Sequence, residues 1–588
     1  MRVRGKSRAP VLLSVLLAVL VTACSNTPPP PVVSTPASQP TTPTKTTSQI
    51  VVGVDDIVGG YNPHNLADSS TVTTALAQLL LPSVFRPGQA GEPVLDENLM
   101  RSAEVISEQP FKVAYEIQQN ASWSDGAPIA VEDFVYLYEA MRDEPGTVLP
   151  AGYRLISGIQ PGEGGKRVEV TFSKPYPGWQ TLFSNLLPAH LLKDAPGGWK
   201  GALAGSFPVY GGPFSIKTLD SDRGEIILER NDRYWAKPAA IDRLVLRRTD
   251  QPGMVAALRS GNDQFGVART DETGLKLLGE LGQAVRLHTL AQPRTANVLL
   301  RPSGSLTDDR VRAGVAALLD RGKLIAEGAA GGPSATLRAD AQVLPPSDAG
   351  YKPTLPAGEL AAPDQQKAEQ LFASAGYTKE AGTWRKDGKP LSLVVASPGE
   401  QEPYAGVAKE LAGQLIAAGV EVRTINPKSR DLFSTLLALP IGTAGQPVPP
   451  DSAGNVGVDV AVVPQPVGGD PASVLASTFG CRPGPEQPES STGAAEPPDS
   501  ATTRVPANAA AFCDRSLQPA IDAALTGSTP LAEALSALEP ELWRRHTVIP
   551  LFQLADTLAI GSGVSGVTPG PPLAGPFGSA VNWTRGSR

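Results

Sequence analysis

The chain has 588 residues, 41% of them hydrophobic and 19% charged, with a formal net charge of −7. Its length allows several domains at about 100–200 residues each, with enough apolar content for a proper core. The acidic balance argues against nucleic acid as a partner, which calls for basic stripes.

Arg2, Arg4, Lys6 and Arg8 precede an apolar run from Val11 to Leu20, and the stretch Val21-Thr22-Ala23-Cys24 follows. A cationic segment, a short apolar core and small residues at a cleavage point make a secretory signal. The run falls short of the about 20 residues a membrane-spanning helix needs. No later run in the chain is long enough either. A cleavage site ending on cysteine resembles a bacterial lipobox. That resemblance implies removal of residues 1–23 and attachment of lipid to Cys24. Residues 24–49 are dominated by Pro, Ser and Thr without apolar periodicity, so an extended, disordered tether is expected. Membrane attachment then runs through Cys24, with the folded body on the extracytoplasmic face of the cell membrane.

The body opens with a strand, Ile50-Val51-Val52-Gly53-Val54. A turn-rich segment through Tyr61-Asn62-Pro63-His64 leads to a helix with Ala75, Leu79 and Leu80. Val113 to Ile117 alternates as a strand does. Ser124-Asp125-Gly126 is a turn signal, and the following helix carries Phe134, Leu137, Tyr138 and Met141 on one face. Thr307 is placed to cap a helix with Val311, Val315, Leu318 and Leu319 on its apolar side. Asp364 is placed to cap another, ending at Gly376. Leu391–Ala396, Tyr404–Ala418 and Val420–Ile425 read as strand, helix and strand, a unit that points to a parallel sheet. Val458 to Val463 reads as a further strand.

The chain has three cysteines, and with Cys24 committed to lipid, Cys481 and Cys513 remain. In an exported protein they are expected to form a disulfide. It would pin the ends of a low-complexity loop, residues 482–511, and stabilise the fold by about 3–4 kcal/mol.

The block Trp123-Ser124-Asp125-Gly126-Ala127-Pro128-Ile129, followed by a Glu132-Asp133-Phe134 helix start, resembles the signature of family 5 extracytoplasmic solute-binding proteins. Further similar blocks follow in order: Gly211-Gly212-Pro213-Phe214, Asn231 to Trp235, Leu258 to Asp263, Thr307 to Arg321, and Asp364 to Tyr377. The resemblance implies a mixed α/β, two-lobed periplasmic-binding-protein-like fold of class II with an extra small domain. A first lobe is expected over residues 50–290, with the extra subdomain near 76–204. A second lobe is expected over 291–549, and 550–588 return to the first. Pro150 to Ile156, Lys174-Pro175-Tyr176-Pro177 with Trp179, Leu187-Pro188-Ala189-His190 and Cys513-Asp514-Arg515-Ser516 are similar to a group of actinobacterial lipoproteins with this fold. That likeness implies a part in phosphatidylinositol mannoside and lipoarabinomannan synthesis. The family implies an ABC permease as partner, and the narrower group an envelope-biosynthesis protein. The ligand would be a small molecule, a peptide or a glycolipid. A monomer is expected.

Peptide receptors of the family follow a late second-lobe strand with Gly-Trp and then an Asp that holds the peptide ammonium. Here Pro464-Gln465-Pro466-Val467-Gly468-Gly469-Asp470-Pro471 stands instead. Val467 takes the position of that Asp, and Asp470 reads as part of the turn before Pro471. No catalytic constellation stands out, so no enzyme activity is expected. The four histidines, His64, His190, His288 and His546, lie far apart without metal spacing, and neither metal nor cofactor is expected. Gly561-Ser562-Gly563-Val564-Ser565-Gly566 has the glycines of a dinucleotide site, but Pro569, Pro571 and Pro572 forbid the helix that site needs. The candidates for the cleft are Tyr61 and Asn62 from the first lobe, Arg294 and Asn297 at the crossing, and Gln465 at the late strand. Trp123 and Trp235 are expected to be core anchors. Trp179 and Trp384 are candidates for stacking on a sugar.

Overall fold

The computed structural model describes residues 48–57, 59–438, 457–483, 504–506 and 508–586. Cys24, the signal segment, nearly all of the tether and most of the low-complexity loop lie outside the described residues. No helix among the described residues is long and apolar enough to cross a membrane.

A ten-stranded mixed sheet runs through the molecule. Its strands are β1 Gln49–Val54, β2 Phe214–Asp220, β3 Glu225–Arg230, β4 Arg243–Arg248, β5 Phe265–Ala268, β6 Val285–Leu300, β7 Ser392–Ala396, β8 Glu421–Ile425, β9 Val460–Pro466 and β10 Val548–Gly561. Their order is β8-β7-β9-β6-β10-β5-β1-β4-β3-β2. β1 lies parallel to both β4 and β5, and β7 lies parallel to both β8 and β9. The helix Tyr404–Ala417 joins β7 to β8 and buries Val407, Leu411 and Leu415. That is the strand–helix–strand unit its sequence pattern predicts.

β6 and β10 are long because each serves both halves of the sheet. Near its C-terminal end β10 pairs with β5, while the second half of β6 pairs with β9 from Arg294 to Leu300. The two strands pair with each other along most of their length, with register shifts between Ala291 and Thr295 and between Ala296 and Asn297. Pro293 lies in the first shift, and Pro550 lies opposite Asn297 at the second. Proline donates no amide hydrogen, so the ladder breaks at these points and the sheet can bend there.

The extra small sheet combines Met100–Glu108, Phe111–Ile117, Arg167–Phe172 and Ile156–Pro161, in that spatial order. The helix Val131–Asp143 buries Phe134, Leu137, Tyr138 and Met141, as its period predicts. Trp123 is fully buried, and its indole donates to Asp133 Oδ2 at 3.2 Å. Asp133 also accepts from Ala130 N at 3.1 Å and from Ala189 N at 2.9 Å. Burial pushes this carboxyl up to about 6, against the pull of those donors. The Trp-Ser-Asp-Gly block therefore ties a turn, a helix start and the 189–192 helix to one carboxylate. Trp235 is half-buried and donates to Asn98 O at 2.7 Å.

One cap differs from expectation. Asp308, not Thr307, caps the helix Asp309–Leu318, accepting from Arg310 N at 2.9 Å. Thr307 is taken up by the preceding 3₁₀ turn Gly304–Thr307. Asp364 caps Gln365–Ser374 as its position predicts, and Gly376 beyond its end has φ +88°.

Cys481 and Cys513 are joined by a disulfide, with Cα atoms 5.0 Å apart and a sequence separation of 32. It anchors the short hairpin of Cys481–Pro483 with Arg504–Pro506. A closed loop of this length is expected to contribute about 3–4 kcal/mol. Reduction, or the double change Cys481→Ser and Cys513→Ser, should lower the thermal midpoint by several degrees in calorimetry. An unchanged midpoint would contradict this.

Candidate ligand-binding cleft

The segment that starts at Ser429 packs against residues 67–68 and Lys200. Arg430 Nε donates to Asp68 Oδ1 at 2.9 Å, and its Nη2 pairs with Oδ2 of the same carboxylate. Ser429 Oγ donates to Ala67 O at 2.8 Å, and Lys200 pairs with Asp431 at 2.7 Å. The Asp68 side chain has no solvent exposure and also accepts from Asn62 N at 3.0 Å. Burial raises its pKa, while Arg430 and the Asn62 amide act in the opposite sense. A desolvated pair of this kind costs most when one partner is removed.

Tyr61 and Asn62 lie beneath this latch, both almost completely buried. Asn62 Oδ1 accepts from His64 N at 3.0 Å. The Tyr61 hydroxyl and the Asn62 amide nitrogen have no partner among the described residues.

Arg294 lies at the crossing strands, 7% exposed. It donates to Ser69 Oγ and Thr71 Oγ1, both at 3.3 Å. Thr71 Oγ1 donates in turn to Asp556 Oδ2 at 2.7 Å, and Gln292 donates to the same oxygen. Asp55 follows the end of β1 and accepts from Arg269 N at 2.9 Å. Burial, then the charge of Asp556, pushes Asp55 from 3.8 up to about 7. Burial also raises Asp556, against Arg294, Thr71 and Arg269. The crossing thus holds two carboxylates and two guanidinium groups in a low-dielectric setting.

Asn297 donates to Thr295 Oγ1 at 2.8 Å and to Thr295 O at 3.1 Å. With Gln465 it lines a recess of about 10 Å³, room for one water at most. Gln465 also reaches a second cavity of about 100 Å³. Its lining brings Glu144, Thr147 and Arg154 together with Arg301, Ser477 and Arg482, more than 140 residues further along the chain. Arg301 is 3% exposed and donates to the backbone oxygens of Ala509, Val458 and Leu437 at 3.1, 2.9 and 3.0 Å. Burial lowers it to about 10. Arg154 is half-buried, and its Nε has no partner among the described residues. Burial, then the charge of Arg482, lowers it to about 10.

The five cleft candidates thus divide. Gln465 and Asn297 line cavities, Arg294 belongs to the crossing network, and Tyr61 and Asn62 belong to the latch. Asp55, Asp556, Arg154 and Arg482 are not singled out by the sequence, because their partners lie far away along the chain and no spacing joins them. Val467 is 7% exposed, and its amide donates to Pro293 O at 2.9 Å. Asp470 caps the helix Pro471–Phe479, accepting from Ala472 N and Ser473 N at 3.0 and 3.2 Å. Trp384 is 5% exposed in the second-lobe core, donating to Ala418 O at 3.1 Å. Trp179 packs edge-on against Phe85 and Tyr115. No cluster of potential metal ligands occurs among the described residues.

The raised Asp55 carboxyl has a consequence for pH. Between 3.8 and about 7 the folded chain holds a proton that the unfolded chain has lost. Stability therefore falls as pH rises through that window, and the loss is complete above it. Asp55→Asn should raise the thermal midpoint at about pH 8 by a few degrees and leave it nearly unchanged at about pH 4. A variant less stable than the parent at the higher pH would contradict this.

Residues 95–439 match the family "Bacterial extracellular solute-binding proteins, family 5 Middle". The chain is 34% identical over 641 aligned positions, 97% of each chain, to the "Probable monoacyl phosphatidylinositol tetramannoside-binding protein LpqW" of Mycobacterium tuberculosis. It is 26% identical over 355 positions, 58% of each chain, to the oligopeptide-binding protein OppA of the same organism. In structure it is similar to the oligopeptide-binding protein AppA of Bacillus subtilis, solved with a nonapeptide. That likeness has a TM-score of 0.67 at 16% identity and covers 92% of this chain and 100% of the other. The family match covers more than half of the chain and one relative covers nearly all of it. The chain belongs to family 5 of the bacterial extracellular solute-binding proteins and has their two-lobed periplasmic-binding fold.

Proposed function

We propose that this chain is a lipid-anchored receptor on the extracytoplasmic face of the cell membrane whose cleft binds a phosphorylated glycolipid headgroup. The observation that carries this reading is the cavity between the lobes. Its described lining brings together Arg154, Arg301 and Arg482, with Glu144 as the one carboxylate among them. Guanidinium groups match phosphate oxygens in charge and shape. A free peptide brings an ammonium that needs a carboxylate. Val467 has none to offer, and Asp470 is committed to capping a helix.

In this reading residues 50–290 and 550–588 form the first lobe and 291–549 the second, moving about β6 and β10. A cavity of about 100 Å³ is smaller than the about 300–1,000 Å³ of a small-molecule site. A whole headgroup therefore enters only as the lobes part. The relative named for phosphatidylinositol tetramannoside binding supports the ligand class, because it is similar along 97% of the chain. With the sequence blocks shared with that group, it supports a part in phosphatidylinositol mannoside and lipoarabinomannan synthesis. The chain would act there as a monomeric, non-catalytic partner of an envelope-biosynthesis protein. The lipid anchor rests on Cys24 and its flanking signal. A Mycobacterium tuberculosis relative similar over 34% of the chain is itself named a lipoprotein.

A second reading, a receptor that delivers peptide or another solute to an ABC importer, is favoured by the similarity to OppA. Calorimetric titration separates the two. Mixed di- and oligopeptides should give no heat, because a buried ammonium without its counter-ion costs about 3–5 kcal/mol, two to three decades of affinity. A mannosylated phosphatidylinositol should bind. Micromolar binding of a simple dipeptide would restore the importer reading. Separately, Cys24→Ala should release the protein from membranes or leave it unprocessed. Unchanged membrane partition of the mature-sized variant would contradict the anchor.

A further inference from the structure

We propose that Arg154 and Arg482 form an anion subsite across the lobe interface, built to take the phosphate of a phosphodiester headgroup. This rests on the cavity between the lobes being the ligand site, and it assigns the part of the ligand that the cavity holds.

Arg154 is the middle residue of the 3₁₀ turn Tyr153–Leu155. Its Nε is shut off from solvent without a hydrogen-bond partner among the described residues. A desolvated donor left unpaired costs about 1–3 kcal/mol, and more when it is charged. Arg482 lines the same cavity, and its charge opposes that of Arg154. Two like charges facing each other across a closing interface work against closure. Asp143 offsets part of this repulsion, because its charge acts favourably on both arginines. Asp143 is held by Arg142, at 2.8 Å through Nε and 2.6 Å through Nη2. Glu144 lines the cavity, but its shift arises from burial and from Asp143, with no part taken by either arginine. The cavity keeps a surplus of positive charge and Arg154 an unpaired Nε, which a bound anion would satisfy.

The setting suits an oxyanion further. Arg301 adds a third positive charge, held in place by three bonds from its guanidinium to backbone oxygens. It raises the local potential. Ser477 Oγ accepts from Ala151 N at 3.2 Å, which leaves its hydrogen free to donate. Arg482 is exposed, yet its backbone is fixed. The Cys481–Cys513 bridge precedes it, and Cys481 N donates to Gln518 Oε1 at 2.7 Å. The cavity of about 100 Å³, some ten times the recess beside Asn297, has room for a phosphate group. The inositol and sugar of a headgroup would extend from it along the lobe boundary.

The test uses the mature full chain with three probes: inorganic phosphate, glycerophosphoinositol, and phosphatidylcholine vesicles with or without phosphatidylinositol. Glycerophosphoinositol is expected to bind and to weaken with salt. Arg154→Ala and Arg482→Ala should each weaken it about tenfold or more, and Arg154→Lys should recover part of the loss. Without any anion, Arg154→Ala should be as thermally stable as the parent or more so, because it removes an unpaired buried cation. Equal affinity of parent and alanine variants for glycerophosphoinositol would overturn the subsite while leaving a glycolipid receptor standing. A drop in ligand-free stability for Arg154→Ala would likewise overturn it, by making Arg154 structural. Phosphate binding that depends on Arg154 without any gain from phosphatidylinositol in vesicles would uphold the subsite and sink the glycolipid reading. Binding of all three probes by all variants alike would be non-specific and would overturn the subsite.

Discussion

β6 and β10 pair with each other while each also pairs into a different half of the central sheet. The rest of the molecule depends on that arrangement. Two crossing strands allow the halves to move only by bending the strands themselves, and Pro293 and Pro550 mark where the ladder is interrupted. In the proposed reading, a bend confined to so few residues would turn local changes into lobe movement. Arg294, Gln292 and Asp556 lie on or beside the bend, so its electrostatics are those of a compact buried network.

Closure then balances terms of opposite sign. Asp68 and Arg430 attract across the interface and exclude water from each other. Arg154 and Arg482 repel across the same interface. A ligand shifts such an equilibrium only by its differential affinity for the two states. An anion between the arginines converts a repulsive contact into two attractive ones, and so favours the closed state. A neutral ligand would gain nothing from that contact. The proton held near Asp55 and Asp556 adds a dependence on pH at the bend itself, apart from any ligand.

Much of the fold was legible in the sequence because it depends on short-range signals. The Trp123 block, the period of the 131–143 helix, the Asp364 cap and the strand–helix–strand unit from 392 to 425 each follow from residues within a few positions of one another. The Thr307 cap shifted by one residue because a 3₁₀ turn occupies the position before the helix. The cleft was less legible. Gln465, at the end of the late strand, and Asn297, at the crossing, line cavities, but Asp55 meets Asp556, and Arg154 meets Arg482, only through the folded chain. Charge pairs with hundreds of residues between them leave no local pattern. Asp470 was legible as a turn residue because proline follows it, and its capping bonds agree with that.

The central claim is that the two lobes close over a phosphorylated glycolipid, with the phosphate between Arg154 and Arg482. Native mass spectrometry of the mature protein, extracted gently from its own membranes, tests it most directly. The account predicts an adduct whose fragments contain phosphate, inositol and hexose, and its loss from Arg154→Ala prepared in the same way. A ladder of peptide masses, or a bare chain without adduct, would contradict it.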